Sequence, residues 1–227
     1  MSGLTIEPLR EEDLDAFIKL QWTAFEPLEA DMIMPMIYTA GLLPDIQERL
    51  RQRLLSETNG DLGKYCFVAR DTTSKQAVGI SWWAVKREPP KTQEEVETQW
   101  QTVLQAQNAS SPTAGFNTVL AEAFQKAAIF TEFKVMRGIP YSSLRVLAVH
   151  SQYQRRGIGS LLLEHGLRKF GDDLRLPVYL TCGVAGKPLY ERHGFEVVCD
   201  FPFDGREYGG RSEGRHWCMF RALPTDP

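Results

Sequence analysis

The segment VLAVHSQYQRRGIGSLLLEHG, residues 146–166, decides the fold predicted for this chain. Its first residues are apolar and predict a strand, and the leucine run near its end predicts a helix with an apolar stripe. Between the two lie Arg155, Arg156, Gly157 and Gly159. A plain strand-to-helix turn could explain the glycines alone, so the surrounding residues have to decide whether the loop has a function.

The loop has the composition of an anion site. The first N–H groups of a helix have no acceptor within the helix and lie at the positive end of its dipole. A strand, a glycine turn and such a helix start together form a cradle for a phosphate or pyrophosphate. The glycine spacing is neither GxGxxG nor that of a P-loop. This spacing opposes one hypothesis for the chain, that it is a nucleotide- or NAD-binding enzyme.

Composition limits the possible partners. The chain has 227 residues, 43% hydrophobic and 24% charged, with a formal net charge of -3, which is ordinary for a soluble globular protein and not basic enough to indicate nucleic acid. No apolar run has the roughly 18 residues of a membrane span, and the N-terminal residues do not have the pattern of a secretory signal. We therefore expect a cytoplasmic protein with no nucleic-acid or membrane partner.

The cysteines give no indication of a metal site. They are far apart, without CxxC spacing, and three lie in β-like apolar runs. This pattern favours buried, reduced thiols and no metal. The four are Cys66, Cys182, Cys199 and Cys218.

The remaining pattern predicts an α+β, or mixed α/β, chain. An alternating stretch predicts a first strand and an amphipathic helix follows it, while residues 64–88 predict an antiparallel hairpin. From residue 141 strands and helices alternate. Residues 89–139 read as a helical insertion, because their helices are too few to bury a core alone. We expect one domain spanning residues 1–227.

Two motifs resemble the GCN5-related N-acetyltransferase (GNAT) superfamily. QRRGIG, residues 154–159, matches its acyl-CoA signature [Gln/Arg]-x-x-Gly-x-[Gly/Ala], and VYLTCGVAGKPLYERHGFEVV, residues 178–198, resembles its next strand, helix and strand. The pattern is most similar to small fungal members. The resemblance implies a central, mostly antiparallel mixed sheet of six to seven strands flanked by helices.

The resemblance also implies a donor site for acetyl-CoA, the acyl-donor substrate. The edge of the strand before the loop is expected to pair with the pantetheine arm, and an N–H near Leu147 or Ala148 to polarise the thioester carbonyl. That strand and the one at residues 178–183 should diverge to make room. The residues assigned to binding are Leu147, Ala148, Val149, Gln154, Arg155, Arg156, Gly157, Ile158, Gly159 and Ser160.

The implied reaction is direct attack of a primary amine, on a small molecule or a peptide, in a ternary complex. Tyr190 matches the tyrosine that donates a proton to the leaving thiolate, because a phenol stays protonated at neutral pH. The alternative is a noncatalytic acyl-CoA-binding or regulatory module on the same fold. The sequence leaves a monomer and a homodimer equally open.

The general base is not identified by the sequence. Ser143 and Arg145 occupy the usual positions and neither is a convincing base, while His150 at the strand end fits a structural role better. Deprotonation through water or through a carboxylate from elsewhere remains open. The acidic candidates follow the first long helix and would favour a cationic amine if they face the acceptor; otherwise they form a solvated loop. They are Glu26, Glu29 and Asp31.

Overall fold

A computed structural model of the chain describes residues 3–25, 33–108, 114–209 and 214–223. The strands are β1 Leu4–Pro8, β2 Cys66–Asp71, β3 Ala77–Lys86, β4 Tyr141–Val149, β5 Val178–Gly183, β6 Glu196–Asp200 and β7 His216–Arg221. The helices are α1 Leu14–Phe25, α2 Ile33–Ile37, α3 Pro44–Glu57, α4 Leu62–Tyr65, α5 Gln93–Asn108, α6 Thr118–Met136, α7 Ile158–Gly166 and α8 Lys187–Arg192.

The strands form one seven-stranded sheet in the order β1-β2-β3-β4-β5-β7-β6. Every neighbouring pair is antiparallel except β4 and β5, which are parallel. The expected class, a mostly antiparallel mixed sheet flanked by helices, is confirmed. The expected hairpin is also present as β2 and β3, which pair through the turn after Asp71.

Helices cover both faces of the sheet. Helices α7 and α8 bury their apolar residues in one core with Trp83 of β3, and α1 and α3 bury theirs on the opposite face with Trp82. The adjacent tryptophans therefore point to opposite faces, as strand geometry requires. Both are buried, with 6% of Trp82 and 0% of Trp83 exposed.

Glycines let α7 lie directly on the sheet. A Cβ at Gly79 of β3 would lie 2.9 Å from side-chain atoms of both Ile158 and Leu162. A Cβ at Gly166 would overlap the indole of Trp83. Helix α7 then continues as a π-helical segment, Leu167–Asp172, whose Phe170 carbonyl accepts a hydrogen bond from the Ser142 hydroxyl of β4 at 2.7 Å.

The segment predicted as an insertion contains α5 and α6, and β3 and β4 on either side of it still pair as neighbours. Helix α6 begins after Asn117, whose side chain accepts a hydrogen bond from the Leu120 N–H, and it ends before Arg137 in the left-handed region. Its inner face packs on the sheet beside Tyr141, Tyr179 and Cys218. The assignment of residues 1–227 to one domain stays a prediction.

All four cysteines are free thiols. No helix in the part of the chain that the structure describes is long and apolar enough to cross a membrane.

Candidate active site

The centre of the sheet opens into a gap. Strands β4 and β5 pair through three residue pairs only, and the last of them joins Leu144 to Leu180. Beyond it β4 stays paired with β3 as far as Val149, and β5 stays paired with β7 as far as Gly183. The two strands therefore diverge, and within the described ranges one edge of β4 from Arg145 onward has no neighbouring strand.

Backbone alternation determines which groups of β4 face this gap. The His150 N–H donates to the Val78 carbonyl at 3.0 Å, so this pair is hydrogen-bonded across β3 and β4. Hydrogen-bonded and non-hydrogen-bonded pairs alternate along an antiparallel ladder. The polar backbone groups of Ala148 therefore point to β3, and those of Leu147 and Val149 point into the gap. Of the two residues proposed to polarise a carbonyl, Leu147 has the suitable orientation.

The loop after β4 presents free amides at the same end of the gap. Arg155 and Gly157 both have left-handed backbone, with φ of 62° and 80°, and turns of this kind direct successive N–H groups into an anion-binding concavity. Helix α7 closes its first turn with the Leu161 N–H on the Gly157 carbonyl at 3.1 Å. Among the described residues, the six N–H groups from Arg155 to Ser160 have no backbone or side-chain acceptor.

Neighbouring side chains hold this loop in place. The Gln154 amide donates to the Val149 carbonyl at 3.1 Å. The Arg156 guanidinium lies 5.1 Å from the centre of the Tyr153 ring, and both loop arginines are exposed. His150 accepts a hydrogen bond from the Gln152 N–H at 3.3 Å, which explains this histidine as the cap of the short turn after β4.

Tyr190 lies on α8 and is 8% exposed. Its ring packs against Phe195 with the ring centres 5.8 Å apart, and a Cβ at Gly186 would lie 2.9 Å from it. Burial, and secondarily the neighbouring Cys182 thiol, raises the pKa of the Tyr190 phenol above its ordinary value. A phenol in this setting stays protonated at neutral pH.

Ser143 and Arg145, the two positions at which a general base was expected, have different surroundings. The Ser143 hydroxyl is buried and has no hydrogen-bond partner in the described chain. Arg145 is the extra residue of a bulge, because Trp82 pairs with Val146 while Trp83 pairs with Leu144. Its side chain reaches α6, where its Nη1 lies 3.5 Å from Glu132 Oε2.

Glu132 of α6 is a buried charged neighbour of Arg145 that the sequence analysis did not single out. Its side chain is 11% exposed, and its Oε1 accepts a hydrogen bond from the Tyr141 hydroxyl at 2.6 Å. It lies one helical turn from both Ala128 and Met136, on the apolar face that packs on the sheet. A single carboxylate on an otherwise apolar helix face is the signal that could have identified it.

Further charges surround this pair on the same face of the sheet. On α3, Arg53 Nε contacts Glu57 Oε1 at 2.7 Å. Burial alone would raise the pKa of Glu57, but Arg53 above all, with Arg145 and Lys86, holds it below its ordinary value. The pKa of Lys86 is lowered by burial and then by Arg145. In the described residues, three cations therefore surround two carboxylates.

A cavity of about 570 Å³ lies beside this cluster, between the insertion helices and the ends of β3 and β4. Lys86, Glu132 and Tyr141 form part of its wall. It lies at the Tyr141 end of β4, whereas the gap opens at the other end.

The predicted acceptor carboxylates Glu26, Glu29 and Asp31 lie outside the described residues. No group of three or more His, Cys, Asp or Glu side chains suited to a metal occurs in the described ranges.

Comparison with known proteins identifies the fold. The family model described as "Acetyltransferase (GNAT) domain" matches residues 118–197. No curated protein sequence matches the chain. Among solved structures, a mosquito arylalkylamine N-acetyltransferase like 5b has a TM-score of 0.66 at 17% identity, covering 97% of this chain and 100% of that chain.

Two further structures agree. The Drosophila melanogaster polyamine N-acetyltransferase has a TM-score of 0.62 at 17% identity, covering 96% of this chain and 97% of that chain. The histone acetyltransferase HPA2 and related acetyltransferase of Corynebacterium glutamicum has a TM-score of 0.55 at 19% identity, covering 99% and 98%. The resemblance to the GNAT acetyltransferases is thus confirmed, by the family model and by the fold of the chain. The narrower similarity to small fungal members stays a prediction.

Proposed function

We propose that this chain is an acetyl-CoA-dependent N-acetyltransferase that acetylates a primary amine by direct attack in a ternary complex. The observation that supports this proposal is the coincidence of two features at one end of β4. Free amides at residues 155–160 suit a pyrophosphate, and the adjacent unpaired strand edge suits an extended pantetheine arm. The same residues fit coenzyme A better than an isolated phosphate, because the cradle and the gap are continuous along the chain.

The donor is bound by backbone groups in this proposal. The amides from Arg155 to Ser160 hold the diphosphate, with Arg155 and Arg156 adding positive charge. The outward-facing groups of Leu147 and the Val149 N–H pair with the pantetheine amides as a neighbouring strand would, since the Val149 carbonyl already accepts a hydrogen bond from the Gln154 amide. The Leu147 N–H is then placed to polarise the thioester carbonyl, where negative charge develops during attack.

Acetyl-CoA supplies an activated acetyl group, and the chain has to manage two protons. The neutral amine nitrogen forms a bond to the carbonyl carbon, and the carbon–sulfur bond breaks. Tyr190 donates its proton to the departing thiolate, and the amine gives up one proton to a carboxylate or to water. The acceptor approaches from the face where the Arg145 and Glu132 side chains lie.

The proposal is tested by the release of free thiol from acetyl-CoA in the presence of a panel of amines, with the acetylated amine identified by mass spectrometry. Gly157→Glu serves as the binding-deficient variant, since its carboxylate would occupy the site formed by the loop amides and repel a diphosphate. We expect turnover with at least one amine and neither binding nor turnover in the variant. Binding of coenzyme A without turnover on any amine would instead support the noncatalytic module, and unchanged affinity in Gly157→Glu would contradict the diphosphate assignment.

A further inference from the structure

The acceptor side of the gap contains an arginine with unused hydrogen-bonding capacity. Arg145 directly follows Leu144, the last residue of β4 that pairs with β5. A guanidinium carries five N–H donors. The contact to Glu132 at 3.5 Å engages one nitrogen and is longer than a hydrogen bond, and in the described chain no hydrogen bond from the Arg145 side chain is present. This side chain is 29% exposed, so a ligand can reach it.

The charges around Arg145 do not cancel. Arg53 is paired at 2.7 Å with Glu57, so that pair is balanced. Glu132 is shared between Arg145 and the Tyr141 hydroxyl. Lys86 has no carboxylate within ion-pair distance in the described residues, and its pKa is lowered by burial and then by Arg145. Among these five side chains, the three cations therefore outnumber the two carboxylates by one.

Resting on the function proposed above, we infer that the acceptor amine also carries a carboxylate, which Arg145 binds at the mouth of the gap. The planar fork of a guanidinium matches a carboxylate with two parallel hydrogen bonds. A carboxylate there would satisfy the donors that Glu132 leaves free and offset the excess charge. The acceptor class is then an amino acid or another amino-carboxylate, in preference to a polyamine.

Matched pairs of acceptors that differ only in the carboxylate provide the test. L-ornithine is compared with putrescine, L-arginine with agmatine and L-tyrosine with tyramine, in the thiol-release assay with acetyl-CoA. We expect an amino acid to exceed its decarboxylated partner in kcat/KM by about 10-fold or more, as expected for a hydrogen-bonded ion pair. Equal rates, or faster turnover of the decarboxylated amines, would overturn the inference while leaving the acetyltransferase proposal intact.

Variants assign the preference to the guanidinium. Arg145→Gln should raise KM for the preferred amino acid by about 10- to 100-fold, with little change in KM for its amine partner or in affinity for coenzyme A. Arg145→Lys should recover part of the preference, because it keeps the charge and loses the fork. Arg70→Gln is the control: it breaks the ion pair of Arg70 with Asp13 at 2.9 Å, outside this cluster, and should leave the preference unchanged. A preference unaffected by Arg145→Gln would contradict the assignment.

A binding measurement keeps the inference testable if no acceptor turns over. Thermal shifts with L-ornithine and with putrescine, with and without coenzyme A, report binding without chemistry. Stabilisation by the amino acid alone, lost in Arg145→Gln, would support a carboxylate site even if the chain is noncatalytic. If the chain acetylates neither L-ornithine nor putrescine, then equal thermal shifts with the two compounds, or no shift with either, would overturn the inference.

Discussion

Replacing Gly157 by alanine tests the donor loop with the smallest possible change. Gly157 has φ 80° and ψ 0° and is the residue directly before α7. In that left-handed conformation a Cβ costs about 1–2 kcal/mol. The loop can relieve the strain only by rotating the backbone, and the rotation turns adjacent N–H groups away from a bound diphosphate.

The expected loss follows from the number of amides that turn away. A hydrogen bond to a charged acceptor contributes about 1.5–3 kcal/mol. Loss of one such bond weakens coenzyme A binding roughly 10- to 150-fold. Isothermal titration of the folded variant with coenzyme A measures this, and circular dichroism with urea unfolding measures the accompanying change in stability.

Gly209 provides a matched control. Its φ of 79° and ψ of 11° nearly equal those of Gly157, and a Cβ there would meet no atom within 4 Å. Gly209→Ala should therefore carry a similar strain and leave coenzyme A affinity unchanged. Full affinity in Gly157→Ala would refute the assignment of these amides to the diphosphate. An equal loss in both variants would show that strain alone weakens binding.

Three further predictions have distinct expected outcomes. Tyr190→Phe should lower kcat roughly 100-fold with unchanged coenzyme A affinity in titrations; unchanged kcat would reduce Tyr190 to a packing residue. Gly166→Ala should lower the free energy of unfolding, measured with urea, by about 1–3 kcal/mol, because the new Cβ overlaps Trp83. Gly159→Ala on the same helix is the control: its Cβ meets its nearest atom at an ordinary 3.4 Å, so the loss of stability should be much smaller. Burial above all, with nearby cations, lowers the pKa of His165, so the folded state binds a proton at this histidine less readily than the unfolded state. The stability that the neutral histidine contributes is therefore complete above about pH 6.5 and falls as the pH falls. His165→Leu should flatten this part of a plot of urea midpoint against pH, and an unchanged slope would contradict the prediction.

The sequence predicts those parts of the fold that depend on local pattern. The hairpin of β2 and β3, the helix after the glycine loop and the opposite orientations of Trp82 and Trp83 follow from periodicity and turn residues within short windows. The amide cradle follows equally well, because a helix start and its glycines are adjacent in the chain.

Long-range features could not be predicted in this way. The order of the last three strands, with β7 between β5 and β6, depends on which edges meet, and periodicity specifies only the face of each side chain. The bulge at Arg145 and its contact with Glu132 depend on where an insertion helix docks. The sequence therefore predicts the loop proposed here as the donor site, and it does not predict the charges around Arg145.

The early end of the β4–β5 ladder has a mechanical consequence for the whole sheet. Only three residue pairs join the half containing β1 to β4 to the half containing β5 to β7. Helix α6 lies across this seam and packs on Tyr141 from the first half and on Tyr179 and Cys218 from the second. The segment that interrupts the chain between β3 and β4 thus braces the seam on one face of the sheet, and the core under α7, which contains Leu144 from the first half and Leu180 from the second, braces it on the other.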